Sequence, residues 1–309
     1  MKYKEWLKSW LEIYVLPYVK DRTLKQYNDI VFKRLIPELG EFEVEELNLP
    51  VLQKYISGLS VSGNKKTGGG LTPNSIYGII SVIRCSVSMA QVNGMEISLD
   101  FDKIKRPKRV EKNVSCFTAD EQKLIERAIL NDDRYKMFGV IICLYTGLRI
   151  GEVLALEWSD VDFEAQEICV SKTCYDGFGG ERNCRRIVGT PKTESSNRIV
   201  PIPTRLVPYL QKLKLSGQTT NVVSDGKKVP TVRSYQRSFE VLQRKLNIAH
   251  HGFHALRHTF ATRALECGMD VKTLSEILGH RSPTVTLNRY AHSLSEHKRE
   301  MMNRVGLLL

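Results

Sequence analysis

The chain is 309 residues long, about twice an ordinary domain, and its 42% hydrophobic and 26% charged residues exclude a disordered or fibrous polypeptide. Its 46 Lys+Arg against 34 Asp+Glu give a formal net charge of +12 and a pI near 9.3, which favours a polyanionic partner. No membrane span or leader is expected, because the apolar stretch from Leu11 to Val19 is cut by Glu12 and Pro17 and no run approaches about 20 apolar residues.

The positive excess is uneven. Residues 1–107 carry 15 basic against 12 acidic side chains, and residues 108–309 carry 31 against 22. Seven cysteines, at 85, 116, 143, 169, 174, 184 and 267, form no CxxC pair. An odd count with irregular spacing reads as reduced thiols, although Cys169, Cys174 and Cys184 lie close enough to leave a metal site open.

In chain order, the first hundred residues are expected to be helical. Trp6, Leu7, Trp10, Leu11 and Tyr14 recur at helical spacing, as do Leu24, Tyr27, Ile30, Val31 and Leu35 after a candidate cap at Thr23. Asn48 and Pro50 open a third helix through Leu59. Thr72 and Pro73 open a fourth, with Ile76, Ile79, Ile80, Ile83 and Val87 along one face as far as Gly94. Between them, Gly68-Gly69-Gly70 lacks the Lys-Ser/Thr of a phosphate-binding loop. This is a helical domain over residues 1–104.

Residues 105–113 read as a basic interdomain linker. Lys105, Arg106, Lys108 and Arg109 flank Pro107, and they are either solvated charges or contacts along a DNA backbone.

The second domain, 114–309, opens on a capping box at Thr118 to Glu121. An apolar helix from about Tyr135 to Tyr145 breaks at Gly147, and a short one follows Arg149 through Val153, Leu154, Leu156 and Trp158. The period then changes: Ile168 to Val170, Arg186 to Val188 and Arg198 to Ile202 read as three strands. Helices resume near Thr204, from Ser234 to Leu246, from Phe253 to Cys267, from Val271 to Leu278 and from Ser282 to Tyr290. The fold class is therefore mainly α with a small β-sheet (α+β).

The chemistry concentrates at His254-Ala255-Leu256-Arg257, Gly279-His280 and Tyr290, with Arg149 upstream in Thr146-Gly147-Leu148-Arg149-Ile150-Gly151-Glu152. All seven histidines fall between 250 and 297. Arginine presents a planar fork to phosphate oxygens, histidine moves protons near neutral pH, and a tyrosine hydroxyl attacks phosphorus once relieved of its proton. Two separated arginines, two histidines and a tyrosine make a transesterification site for a phosphodiester, since fixed cations stabilise the charge that builds in its transition state. Glu152, three residues after Arg149, shares its helical face and is placed to orient it. A lone arginine or tyrosine would read as a surface or packing residue, and only the set lifts them.

His254 and His258, at i and i+4, also match a zinc-binding spacing. The general-base glutamate of that motif is absent and Arg257 stands between them, so His258 is read as a packing residue. Lys192, in Thr190-Pro191-Lys192-Thr193, lies on a turn between strands, placed to protonate a departing sugar oxygen. Arg182, Arg185 and Arg186 mark a basic hairpin suited to the DNA backbone.

At these residues the chain resembles the tyrosine site-specific recombinases of the phage integrase family. The stretches that carry the likeness are Phe253 to Thr262, Leu278-Gly279-His280, Asn288-Arg289-Tyr290, Thr146 to Glu152 and Pro191-Lys192-Thr193. The resemblance implies a helical core-binding domain and a mixed α/β catalytic domain. It implies an activating pocket of Arg149, Lys192, His254, Arg257 and His280, with Tyr290 as the nucleophile that forms a 3′-phosphotyrosyl bond. Lys192 would be the general acid and His254 a proton-transfer partner. Because the ester is exchanged and not hydrolysed, no cofactor is implied, neither ATP nor metal.

The implied partners are double-stranded DNA attachment sites, three further copies of the chain in a tetramer that exchanges C-terminal tails, and an accessory excision factor. The implied location is the cytoplasm, on the nucleoid. The integrase/excisionase of a phage or conjugative transposon is the first reading. A chromosome-dimer-resolving recombinase, a type IB topoisomerase and a catalytically silent DNA-binding regulator are the others. The segment 172–190 is longer than the simplest hairpin of the family, and no separate arm-binding domain is expected before residue 1.

Overall fold

The computed structural model describes residues 1–109, 114–132, 136–179, 183–189, 197–216, 219–224, 229–290, 302–303 and 305–307, with backbone alone at 22, 178–179, 183–185 and 216. The chain divides into two compact units, Met1–Lys112 and Asn113–Leu309.

Unit 1 is helical. Helix α1 (Tyr3–Trp10) buries Tyr3, Trp6, Leu7 and Trp10 and runs on through a π-helical turn at Leu11–Val15. Helix α2 (Asp21–Ile30) passes through a second π turn, Val31–Leu35, into α3 (Ile36–Leu39). It starts two residues before Thr23, which is therefore not its cap. Lys20 stays extended, and its carbonyl accepts from the Thr23 amide at 2.8 Å. Helix α4 (Leu49–Ser62) is capped by the Asn48 side chain, which accepts from the Val51 amide at 3.1 Å, and α5 (Pro73–Val92) by Thr72.

The stripe Ile76, Ile79, Ile80, Ile83 and Val87 of α5 is buried in the core of this unit. By length and composition alone α5 is apolar enough to cross a membrane, the one such helix among the described residues, although the sequence pattern pointed to none. Two polar handles tie α1 to it: Tyr3 Oη lies 2.7 Å from Ser86 Oγ, and the Trp6 indole donates to the Ser86 carbonyl at 3.0 Å. The basic segment after Ile104 folds back on this same unit. Lys105 exchanges two hydrogen bonds with Gln53, and the guanidinium groups of Arg106 and Arg109 lie 5.7 and 4.0 Å from the centre of the Tyr77 ring.

In unit 2, α6 (Ala119–Leu130) follows the expected capping box at Thr118 and Glu121. Helix α7 (Phe138–Thr146) is buried on nearly every side and ends at Gly147, whose φ of 67° is left-handed. Helix α8 (Ile150–Ala155) is shorter than its apolar pattern suggests. Leu156 turns extended, and Trp158 begins a 3₁₀ turn, Trp158–Asp160, where Glu157 and Asp160 hold Lys172.

Among the described residues, five strands follow where three were expected. A sheet of order β1-β2-β5 joins Val161–Asp162, Glu167–Val170 and Arg198–Pro201, all antiparallel. A separate hairpin pairs β3 (Thr173–Gly179) with β4 (Asn183–Gly189) over seven residue pairs. Strand β1 has two residues, too few for any period, and β3 contains Asp176 and two glycines, poor strand formers. Tertiary contacts make β3 a strand. Asp176 accepts from the amides of Val232 and Arg233 at 2.8 Å each, capping α10 (Val232–Lys245), and Arg186 of β4 donates to the Leu154 carbonyl at 2.9 Å. Helices α9 (Val207–Ser216), α11 (His254–Glu266), α12 (Val271–Leu278) and α13 (Pro283–Tyr290) complete the unit.

Candidate active site

Unit 2 brings Arg149 and Arg257 of the expected residues, together with Arg198, to the C-terminus of one helix. The last carbonyls of α12 have no partner within the helix and carry its partial negative charge. Three guanidinium groups take them in succession. Arg198 donates to the Ile277 carbonyl at 2.5 Å, Arg257 to Leu278 at 2.7 Å and Arg149 to Gly279 at 3.1 Å. Arg257 reaches further, to the Gly147 carbonyl at 2.9 Å, and is only 1% exposed. Its two nitrogens thus tie the end of α7 to the end of α12.

Both helices stop on left-handed glycines, Gly147 at φ 67° and Gly279 at φ 63°. A Cβ at Gly147 would lie 2.5 Å from a Phe260 ring carbon, and one at Gly279 would lie 2.9 Å from Arg198 Nη1. Only glycine supplies both the turn and the room.

Glu152 is the carboxylate of this cluster and is 4% exposed. Its oxygens lie 2.8 Å from Arg149 Nη1 and 2.9 Å from Arg198 Nη2, and one also accepts from the Arg149 amide at 2.8 Å. Burial opposes its ionisation, but the Arg198 hydrogen bond and charge, with Arg149, hold its carboxyl below the ordinary value. The sequence placed Glu152 to orient Arg149, and the two side chains lie 2.8 Å apart. Arg198 was read only as a strand residue, and nothing in the alternating pattern Arg198 to Ile202 told its guanidinium from any other. One carboxylate against Arg149, Arg198 and Arg257 leaves the pocket electropositive, and the exposed Arg289 acts on it from α13.

Helix α11 places His254, Arg257 and His258 on one face by its i, i+3, i+4 spacing. The rings of His254 and His258 meet edge to face at 4.5 Å. His258 Nδ1 lies 2.7 Å from the Tyr290 hydroxyl, so the histidine read as a packing residue touches the candidate nucleophile. This pairing joins α11 to the end of α13, 32 residues on, a contact that no local spacing announces. Among the described residues no three His, Cys, Asp or Glu side chains converge as a metal site. His280 Nδ1 lies 2.7 Å from the hydroxyl of the buried Thr286, which fixes its ring.

Desolvation and the surrounding arginines keep all three histidines neutral near pH 7. His254 is held at about 4 by burial of its ring and then by Arg257, Arg289 and Arg149. His280 is held at about 4 by burial, Arg257 and Arg149, and His258 at about 3 by burial, His254 and Arg289. Burial raises Tyr290 to about 12 against the pull of Arg257 and Arg289, and the side chain is 1% exposed. The phenol therefore keeps its proton until something nearby takes it.

Lys192 and Arg182 lie outside the described residues, as does the tail from 291 to 301. Arg185 is described by its backbone alone, on β4, and Arg186 is turned onto α8. Lys105, Arg106, Lys108 and Arg109 belong to unit 1, with Lys105, Lys108 and Arg109 exposed.

The chain is similar to known proteins in sequence and in fold. The chain matches the phage integrase family over residues 117–297 and the phage integrase N-terminal SAM-like domain over residues 2–60. It is 32% identical over 211 residues to a XerC-like tyrosine recombinase of Caldanaerobacter subterraneus subsp. tengcongensis, covering 62% of this chain and 53% of that one. It is 29% identical over 204 residues to the transposase from transposon Tn916 of Enterococcus faecalis, covering 60% and 49%. The chain thus spans about half the length of the curated relatives it matches. Its fold is that of the Tn1549 transposon integrase solved with a circular intermediate DNA, at a TM-score of 0.81, 23% identity and 99% coverage of both chains.

The helical unit and the α+β unit carry the two matched domains, the SAM-like one and the integrase one. The chain belongs to the phage integrase family.

Proposed function

We propose that this chain cuts and rejoins DNA at specific sites through a 3′-phosphotyrosyl intermediate, as the integrase/excisionase of a mobile element. One observation carries the reading: the Tyr290 hydroxyl is held 2.7 Å from an imidazole nitrogen, beside arginines whose charge a single buried carboxylate does not balance. A phosphodiester is an anion suited to such a cluster of guanidinium groups. Arg149 and Arg257 grip its non-bridging oxygens, and His254 and His280 add donors. Tyr290 displaces the 5′-oxygen and frees a 5′-hydroxyl, with Lys192 as the acid for the leaving group and His254 as a proton-transfer partner. The ester bond is conserved, so rejoining needs neither ATP nor metal.

Unit 1 is the core-DNA-binding half and 105–113 the linker. Lys105, Arg106, Lys108, Arg109, Arg182, Arg185 and Arg186 contribute to backbone binding. The partners are two double-stranded attachment sites and three further copies of the chain, which exchange C-terminal tails, with an accessory factor for excision. The reaction takes place on cytoplasmic DNA. The transposon proteins among its relatives support the mobile-element reading. Likeness to a XerC-like recombinase supports a second reading, resolution of chromosome dimers.

Tyr290→Phe tests the chemistry. It is expected to shift a cognate duplex in a gel as wild type does and to form no detergent-resistant adduct on a nicked substrate. An adduct in that variant removes Tyr290 as the nucleophile.

A further inference from the structure

Among the described residues, His258 is a nitrogen base in hydrogen-bond distance of the candidate nucleophile. Glu152 is committed to Arg149 and Arg198, and His280 Nδ1 is engaged by Thr286. His254, at the start of α11, packs its ring edge to face against His258 at 4.5 Å. His258 alone among these groups has a nitrogen at 2.7 Å from Tyr290 Oη.

We propose that His258 is the general base of the strand-cleavage step, receiving the Tyr290 proton at Nδ1 as the phenolic oxygen bonds phosphorus. The inference rests on the recombinase reading given above and adds a residue to it. The Oη–P bond forms and the P–O5′ bond breaks. The phenolic proton passes to Nδ1, and the departing 5′-oxygen takes a proton from a separate acid. Rejoining reverses each transfer and returns the proton to Oη.

The electrostatics make this transfer conditional on substrate. An imidazolium at 258 would face His254 and Arg257 of α11, His280 beyond α12 and Arg289 of α13, which all disfavour it. A bound phosphodiester brings one negative charge, and its five-coordinate transition state more. The repulsion is relieved when the proton has to move, so the nucleophile stays protonated until DNA is seated.

The test uses the full chain. A pool of nicked duplexes with randomised sequence is incubated with wild-type protein, covalent adducts are recovered and sequenced, and the recovered site serves as the single-turnover substrate. It is made in two forms, with oxygen or with sulfur at the bridging 5′ position, because a thiolate leaves without needing a proton. His258→Asn retains an acceptor near the Nδ1 position but cannot take a proton, and His258→Ala removes both. Both variants are expected to melt and bind DNA as wild type does and to cleave about 100-fold more slowly or worse on either substrate. The pH dependence of the residual rate should also lose the limb that reports a neutral base.

Near-wild-type cleavage by His258→Asn reduces the residue to a positioning role and overturns the proposal. Recovery on the sulfur substrate does so too, since it moves the defect to the leaving group. If wild-type protein yields no adduct with the pool, the recombinase reading fails first and this proposal with it.

Discussion

Arg198 of β5 reaches the buried carboxylate of Glu152 on α8, 46 residues away in sequence, at 2.9 Å between Nη2 and Oε2. Arg149 holds the other oxygen, so one carboxylate fixes two guanidinium groups and leaves them jointly electropositive. Glu152→Ala strips both arginines of their counter-charge in a buried setting and is expected to cost about 3–5 kcal/mol of unit 2 stability. Glu152→Gln keeps part of the hydrogen bonding and should cost less, about 1.5–3 kcal/mol. Denaturant unfolding of both variants checks the order; equal stability of Glu152→Ala and wild type would remove Glu152 as the organiser of the pocket.

Acid should weaken unit 2 in two stages. His254 and His280 at about 4 and His258 at about 3 bind protons more readily in the unfolded chain, where each sits near 6.5. Their depressed values mean stability rises with pH through this range, so it is full above about 6.5 and declines as pH falls toward 4. Glu152, also depressed, adds a contribution that is present above its ordinary 4.5 and is lost as pH falls through its folded value. Thermal melting from pH 7.5 to 3.5 reads the decline. Replacing His258 by Asn should flatten part of the upper stage.

Gly147→Ala should be costly although it adds one methyl group. The left-handed backbone disfavours a Cβ by about 1–2 kcal/mol, and overpacking against Phe260 and Leu278 adds about 1–3 kcal/mol. The strain falls on the residue whose carbonyl receives Arg257, so DNA cleavage should drop along with the melting temperature. An unchanged melting temperature would show that the turn has room the structure does not give it.

Arg257→Lys keeps the charge and loses the fork. An ammonium cannot span the Gly147 and Leu278 carbonyls while also meeting a phosphate. Adduct formation is expected to fall by about 10²–10³-fold, the usual range for removing one transition-state donor, with DNA binding little changed. A lysine variant within a few fold of wild type would show that charge alone is what the position supplies.

Binding should also depend steeply on salt. A net charge of +12 engaging the phosphate backbone releases counterions, so log affinity should fall linearly with log salt concentration. A flat dependence, measured by titration between 50 and 200 mM salt, would separate the basic composition from DNA binding.

Much of this protein was legible along its chain, because helices are local. The 3.6-residue stripes of α1 and α5, the caps at Asn48, Thr72 and Thr118, and the stop at Gly147 all depend on neighbours within a turn or two. The residue types at Arg149, His254, Arg257, His280 and Tyr290 suggested phosphate chemistry, the reading proposed above. Strand β3 was not legible, since its Asp and glycines become a strand only through pairing with β4 and the hold of Asp176 on α10.

Two pairings only the tertiary structure decided. A strand arginine looks like any other until β5 brings Arg198 to Glu152, and a helical histidine looks like packing until α13 returns Tyr290 to it at 2.7 Å. Periodicity records which face a side chain occupies. Which distant side chain meets that face is set by how the helices and strands pack.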